Sequence, residues 1–416
     1  MDGKEFLHQM KMRAHCSNPN SFQRAMKPVL VTAQCFALMP VCGITNHNAA
    51  SLRFKWLSLR VFYSVVIIIG LIAMSIFTTI DLFDGEISFR RTRGAVFCSS
   101  ATLSCVMFLH LATKWKSLML EWESVELRQQ RYGYPKNLLW KINGTALFII
   151  SMATAETILA NFNSVMWGAT CQRTGQGNLL YCYAMSSYRH IFRFISYSSV
   201  VAIIAICINF VATFSWSFID LFIILISTAL TERFRLFNNH LKSINGKVIK
   251  EESWERLREE YNSLSCLTRS VNTCISNILL VSFGSNLYFI CTQLLNSLIP
   301  MESTIEKVYF YLSFGYLLLR AGMVSLYAAN VNEESHVPRA ILFSVPSESY
   351  CTEVLRFERQ VTTDEVALSA SNFFSITRSM ILTLVGTIVT YEVVLVQFNN
   401  VSGGSCITVA NVTASS

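Results

Sequence analysis

The chain has 416 residues, 52% of them hydrophobic and only 14% charged, with a net charge of +8. A water-soluble globule of this length would have too little polar surface to stay monomeric, so that class is excluded and the chain belongs in a membrane. No nucleic-acid partner is expected.

In chain order, Met1 to Asn20 are polar and lack a signal-peptide pattern, so no cleavage or export of the amino end is expected. The stretch 28–42 is apolar but short, and Pro40 and Gly43 interrupt it, which predicts a membrane-surface or re-entrant piece. Stretches long enough to cross a ~30 Å hydrocarbon core at ~1.5 Å per residue follow at 61–83, 94–113, 142–160, 194–219, 271–299, 306–330 and 375–398. The fold class is therefore an all-α membrane protein with seven transmembrane helices.

The fourth stretch continues apolar from Phe194 to Leu230, about 55 Å as a helix, and so must project beyond the bilayer. After a polar turn at Asn245-Gly246, Ser253 to Arg269 carry Trp254, Leu257, Tyr261, Leu264 and Leu267 at helical spacing, a partner for that projection. A further cytoplasmic helix is predicted between Pro346 and Gln360, packing through Cys351, Val354, Leu355 and Phe357. Thr362 and Glu365 have capping-box spacing, which predicts a new helix from Thr362 into the last span.

Basic residues set the orientation. With the amino end inside, the segments 1–60, 114–141, 231–269 and 331–360 hold 25 Lys and Arg, against seven in the opposite set. An odd number of spans puts the carboxyl end outside, where Asn400 and Asn411 begin glycosylation patterns; Asn411 stands farther from the bilayer and is the better acceptor. Of 13 cysteines, Cys171, Cys182 and Cys406 fall outside. Cys171 and Cys182 are candidates to close the third-to-fourth connection, though spacing alone leaves pairing and free thiols equally open. No Cys/His cluster has zinc-ligand spacing, and no metal or cofactor is expected.

The last segment reads Thr390-Tyr391, five residues, then Gln397-Phe398. This ending resembles the C-terminal signature of the insect gustatory receptors, in the form found in their sugar-receptor branch. Phe22 to Leu30, Ala33-Gln34, Leu38 to Val41, Trp216 to Phe234, Val324 to Ala329, Phe373 to Arg378 and Gly386 to Val389 resemble that branch too. The weakly matching part, about 85–200, is where ligand choice is expected to vary. The resemblance implies an insect chemoreceptor channel: a ligand-gated, non-selective cation channel of the plasma membrane, opened by extracellular sugar and assembled as a homotetramer or with related receptors. The last span of each subunit would line one central pore for monovalent and divalent cations.

On that reading Thr390, Val394 and Gln397 share one helix face, while Tyr391, Val394 and Phe398 define an adjoining one. Four Gln397 amides would offer oxygens to a cation and four Phe398 rings would close the path by excluding water. The alternative is that Gln397 bonds a neighbouring helix and Phe398 only packs. Glu392, on another face, reads either as an acid near the ion path or, as the preferred reading, as one paired or hydrogen-bonded to an adjacent helix. Asp220, by the same logic, holds the helical bundle together rather than a ligand.

A sugar needs aromatic faces for its C–H side and amide, carboxylate or hydroxyl groups for its rim. Such groups collect in the outer halves of the spans: Thr154, Glu156, Trp167, Arg189, His190, Tyr197, Tyr288, Gln293, Asn296, Tyr309 and Tyr311. Glu156, Trp167, Arg189, Tyr197, Tyr288, Gln293, Asn296 and Tyr309 form the expected ligand set. Each singly also suits an interfacial anchor or interhelical bond.

The expected division is a cytoplasmic amino-terminal segment (1–60) with a membrane-surface piece, a six-span ligand-binding region (61–330), cytoplasmic anchor helices (331–374), a pore-lining span (375–398) and an extracellular tail (399–416). Two rival classes are disfavoured. The charge bias is inverted for a G-protein-coupled receptor, which would also carry Asp-Arg-Tyr and Asn-Pro-x-x-Tyr, and no His-Glu-x-x-His or Gly-x-Ser-x-Gly pattern suggests an enzyme. A chemoreceptor channel for a non-sugar ligand is the serious alternative.

Overall fold

Among the described residues, six helices are long and apolar enough to cross a membrane. The computed structural model describes residues 21–46, 48–84, 89–173, 177–297, 304–391 and 393–394. In chain order the helices are α1 (Phe22–Cys35), α2 (Leu59–Phe83), α3 (Phe89–Gln129), α4 (Leu138–Arg173), α5 (Leu179–Ser187), α6 (Arg189–Phe192), α7 (Ser199–Ile244), α8 (Glu251–Ser297), α9 (Thr304–Leu342), α10 (Thr352–Thr363) and α11 (Arg378–Tyr391). The candidates are α2, α3, α4, α7, α8 and α9. The seventh expected span is represented by α11, a shorter apolar helix; residues 392 and 395–398 of that span lie outside the described residues.

The three longest of these helices are more than twice the length that the bilayer alone requires. α3, α7 and α8 have 41, 46 and 47 residues, about 62–70 Å at 1.5 Å per residue against a core of ~30 Å. Their surplus, with the end of α9 and all of α10, gathers at one end of the molecule, here called the extension end. α5 and α6 lie at the opposite, loop end. α7 is apolar on every face where the others surround it: Phe222 through Ile226 are all at 0% exposure. α3 contributes Phe108 and Trp115 to this core, α8 contributes Leu264, Ile275 and Leu279, and α9 contributes Val324 and Ala328. As expected, Tyr261 of α8 packs on the α7 extension, edge-on to Phe234 and tilted against Phe237.

The stretch expected to be a membrane-surface or re-entrant piece is helical in its first half, and α1 begins ahead of it at Phe22. Phe22, Ala25, Met26, Val29, Leu30 and Ala33 bury one stripe of it. Its first turn is tied down at the extension end: the Phe22 ring stacks on Trp122, 4.0 Å between centroids, and the Phe22 backbone N–H donates to Glu126 at 3.1 Å. Glu126 also pairs with the fully buried Arg233 of α7. At its other end Phe36 stacks on Phe214 of α7 at 3.7 Å. The chain then turns sharply, with Ala37 and Met39 at positive φ and Gln34 donating to the Met39 and Val41 carbonyls.

Three expectations are corrected. The fourth span starts at Ser199, because residues 193–198 form a connection after α6. Thr362 does not cap a new helix: it ends α10, and its hydroxyl donates back to the Glu358 and Arg359 carbonyls, so it is spent on the preceding turn. The chain then runs extended into a two-stranded hairpin, β1 (Ser369–Ala370) against β2 (Phe374–Ser375), with Ser371 and Asn372 at positive φ in the turn. Within α10, Val354 and Phe357 pack inward as expected, but Leu355 points outward at 53% exposure. Arg258 of α8 clamps α10 through Glu353 at 2.7 Å; that guanidinium, then Arg356, holds the Glu353 carboxyl below the usual carboxylate range.

Candidate functional site

Polar residues inside membrane-crossing helices are costly unless they find partners, and here they find one another. From α4, Glu156 accepts from the Ser313 hydroxyl of α9 at 2.7 Å, and Gln293 of α8 donates its amide to the same Ser313 at 3.4 Å. A three-helix relay results. One turn along α4 towards the loop end, Asn161 bonds its own Thr157 carbonyl and accepts from Tyr183 of α5 at 2.9 Å. α5 itself is fastened to α4 by a Cys171–Cys182 disulfide.

These groups border a cavity of ≈ 200 Å³ between α3, α4, α7, α8 and α9. One wall is aromatic: Trp216 of α7 lies 4.1 Å from Phe289 and 5.4 Å from Phe97, centroid to centroid. Glu156, Asn161, Asn209, Thr213 and Gln293 supply polar groups, and Ala160 and Leu317 complete the apolar part.

At one boundary sits Arg320 of α9, 3% exposed, its guanidinium carbon 5.0 Å from the Trp216 ring centroid and 5.6 Å from that of Tyr316. Asp220 receives it at 2.7 Å and is itself bonded by Ser282 and Asn286 of α8. Apart from the Arg320 Nε, which faces Asp220 in the salt bridge, two buried atoms on residues that line the cavity have no partner among the described residues: the Trp216 indole N–H and the Gln293 carbonyl oxygen. A donor and an acceptor beside an aromatic wall are what a polyhydroxylated ligand would satisfy.

Of the expected ligand set, Glu156 and Gln293 line the cavity. Tyr309 stands one turn before Ser313 on α9, half-buried, and Tyr288 packs edge-on to Phe289 with its hydroxyl buried, but neither lines it. Tyr197 follows α6 and meets Tyr181 and Phe192. Arg189 is exposed at the start of α6, and Asn296 is in the last turn of α8. Trp167 belongs to α4, but its side chain lies outside the described residues, as do Glu392, Gln397, Phe398 and Asn411. Thr390, Tyr391 and Val394 are exposed in the isolated chain. Arg320, Trp216, Asn161 and Asn209 were not among the expected ligand residues. Arg320 carried the plainest signal, a charge in the middle of an apolar span. Among the described residues no cluster of three or more His, Cys, Asp or Glu could hold a metal.

The family model described as trehalose receptor matches residues 8–405. The chain is 36% identical over 383 residues to gustatory receptor for sugar taste 64f of Drosophila melanogaster, covering 91% of this chain and 81% of that relative. It is 34% identical over 402 residues to gustatory receptor 5a for trehalose of the same fly, covering 95% and 87%. Among solved structures, the insect olfactory receptor OR5 from Machilis hrabei shares the fold, with a TM-score of 0.66 at 15% identity over 90% of this chain and 97% of that one. With nearly the whole chain inside the family model and its relatives in sugar taste, the protein belongs to the trehalose receptor family, the sugar-receptor branch of the insect gustatory receptors.

Proposed function

We propose that the protein is a taste receptor that binds a sugar and opens as a non-selective cation channel in the plasma membrane. The observation that carries the sugar reading is the cavity, where the unpaired Trp216 N–H and Gln293 carbonyl stand beside an aromatic wall and the Glu156 carboxylate. Its ≈ 200 Å³ suits one sugar ring rather than an oligosaccharide, being below the ~300–1,000 Å³ of drug-sized sites. The names of the relatives, sugar taste and trehalose, support the same ligand class. Of the expected set, Glu156 and Gln293 would contact the sugar directly, and Trp167, Arg189, Tyr197, Tyr288, Asn296 and Tyr309 would act from the surrounding shell.

The channel reading rests on α11. It is apolar yet exposed on most of its faces, with Leu382, Val385 and Val389 more than half exposed. A helix of that composition needs a partner, and copies of itself around a symmetry axis supply one. In such a homotetramer, or a heteromer with related receptors, Thr390, Tyr391, Val394, Gln397 and Phe398 would line the pore. The amino end would be cytoplasmic and the carboxyl end extracellular, with Asn411 glycosylated, as the charge bias suggests. Residues 1–60 and 331–374 would then be cytoplasmic, 61–330 would hold the ligand, 375–398 would form the pore, and 399–416 would lie outside.

The test is current recorded from cells expressing this chain, alone and beside related receptors, while mono-, di- and trisaccharides, bitter compounds and volatiles are applied. Sugar-evoked cation current is expected. Surface-expressed protein that answers only bitter or volatile compounds would overturn the sugar reading, and no current with any partner would overturn the channel.

A further inference from the structure

A second cavity, ≈ 190 Å³, lies against the first and is lined by α1, α4 and α7. Thr157, Thr213 and Ser217 border both, so one wall separates them. The two differ in chemistry. Every hydroxyl bordering the second cavity is already engaged: Thr32, Thr154, Thr157 and Thr213 each donate to the carbonyl four residues back, and Ser217 receives Arg320. The remaining lining is Ile, Phe, Leu and Ala. A water there would find those hydroxyl protons committed and the rest of the lining hydrocarbon, and an apolar cavity of about 150 Å³ stays dry and takes up hydrocarbon.

We propose that this cavity is a binding site for a lipid acyl chain drawn from the bilayer. Its mouth has Ile158 and Phe210, 63% and 56% exposed, on two helices that are long and apolar enough to cross the membrane. Phe210 is about 17 Å along α7 from Ser199 at 1.5 Å per residue, which falls within a ~30 Å hydrocarbon core. The opening therefore faces acyl chains rather than headgroups or water. Inside, Phe36 just past α1, stacked on Phe214, forms one side, and Phe218 and Leu221, 2% and 1% exposed, form the deep end. Those two residues are out of reach of lipid that merely coats the protein. An acyl chain that touches them has entered the cavity between α1 and α7.

The experiment uses the full chain reconstituted in phosphatidylcholine liposomes containing a fraction of lipid with a diazirine near the end of one acyl chain. After irradiation, adducts are mapped by peptide sequencing. Adducts at Phe218 or Leu221 are expected, and Ala153→Phe, which fills the cavity, should lower them at least fivefold. Adducts at Phe62 and Ile69, exposed on α2, should stay unchanged as a measure of surface lipid. Should Ala153→Phe aggregate, the smaller Ala153→Leu decides, with a loss of at least twofold expected. The proposal is overturned if adducts stop at Ile158 and Phe210, or if the folded variants leave labelling at Phe218 and Leu221 unaltered. It is also overturned if a free diazirine-bearing alkyl alcohol labels those residues while the lipid does not. None of these readouts requires the protein to respond to sugar.

Discussion

Arg320 and Asp220 form a salt bridge of 2.7 Å between α9 and α7, each less than 5% exposed, and the same guanidinium borders the polar cavity. The pair ties the cavity to the most buried stretch of α7, since Leu221 through Ile226, all at 0–1% exposure, follow Asp220 directly. Asp220 therefore does what its position in an apolar span suggested, holding helices together. Its partner makes the cavity lining and the core one unit.

Removing one member should cost far more than removing both. Arg320→Met leaves the Asp220 carboxylate buried with only Ser282 and Asn286 for company, a loss of about 3–5 kcal/mol for a broken buried pair. Combining Arg320→Met with Asp220→Leu should recover much of that loss, because neither charge is then stranded. Thermal unfolding of the purified protein in detergent, followed by size-exclusion, measures both. Equal melting of Arg320→Met and wild type would show that the pair contributes no net stability.

The Cys171–Cys182 bridge tests the orientation as well as the fold. Disulfides persist in oxidising surroundings, so the loop end should face outside, in keeping with the charge bias. On intact cells, a membrane-impermeant maleimide should label these two thiols only after treatment with an impermeant reductant, with Cys171→Ser/Cys182→Ser as the background. Labelling that requires permeabilised cells would invert the topology.

How much of this was legible in the sequence depended on the kind of signal. Hydrophobic length located the long helices, because burial in lipid and burial in a core both demand continuous apolar faces. Boundaries slipped where two local rules competed: Thr362 satisfied a capping pattern by spacing, yet its hydroxyl found the Glu358 carbonyl of the helix already under way. Leu355 shows that an apolar residue on a short surface helix need not face inward. Glu156 and Gln293 were recognisable as polar groups at depth, but their meeting at Ser313 joins residues far apart in the chain, which periodicity cannot report. Arg320 was readable in principle, as an unbalanced charge in a span; Asp220, its partner, was noticed without it.

The pore prediction concerns residues beyond α11. Four Phe398 rings at a constriction would dewet it, so Phe398→Ala should raise ligand-independent current. Gln397→Ala should change conductance or open probability while leaving the half-maximal sugar concentration near wild type. Patch recordings normalised to surface expression would check both. Unchanged ion flux in both variants would remove the last span from the gate.

Recognition is best tested by contrasting residues that the cavity gathers with one that it does not. Glu156→Gln keeps the shape but removes the charge that Ser313 addresses, and Gln293→Ala removes the unpaired carbonyl. Each should cost about 1–3 kcal/mol of sugar binding, roughly a five- to 150-fold rise in the half-maximal concentration. Trp216→Ala should act in the same direction by deleting both a stacking face and an N–H donor. Arg189→Ala, on an exposed side chain at the loop end, should leave the dose response within twofold of wild type. Because a ligand opens a channel only through its preference for the open state, maximal current measured beside the half-maximal concentration separates lost affinity from lost gating. The opposite pattern, a large shift for Arg189→Ala and none for Glu156→Gln, Gln293→Ala or Trp216→Ala, would move the sugar out of the cavity to the surface around α5 and α6.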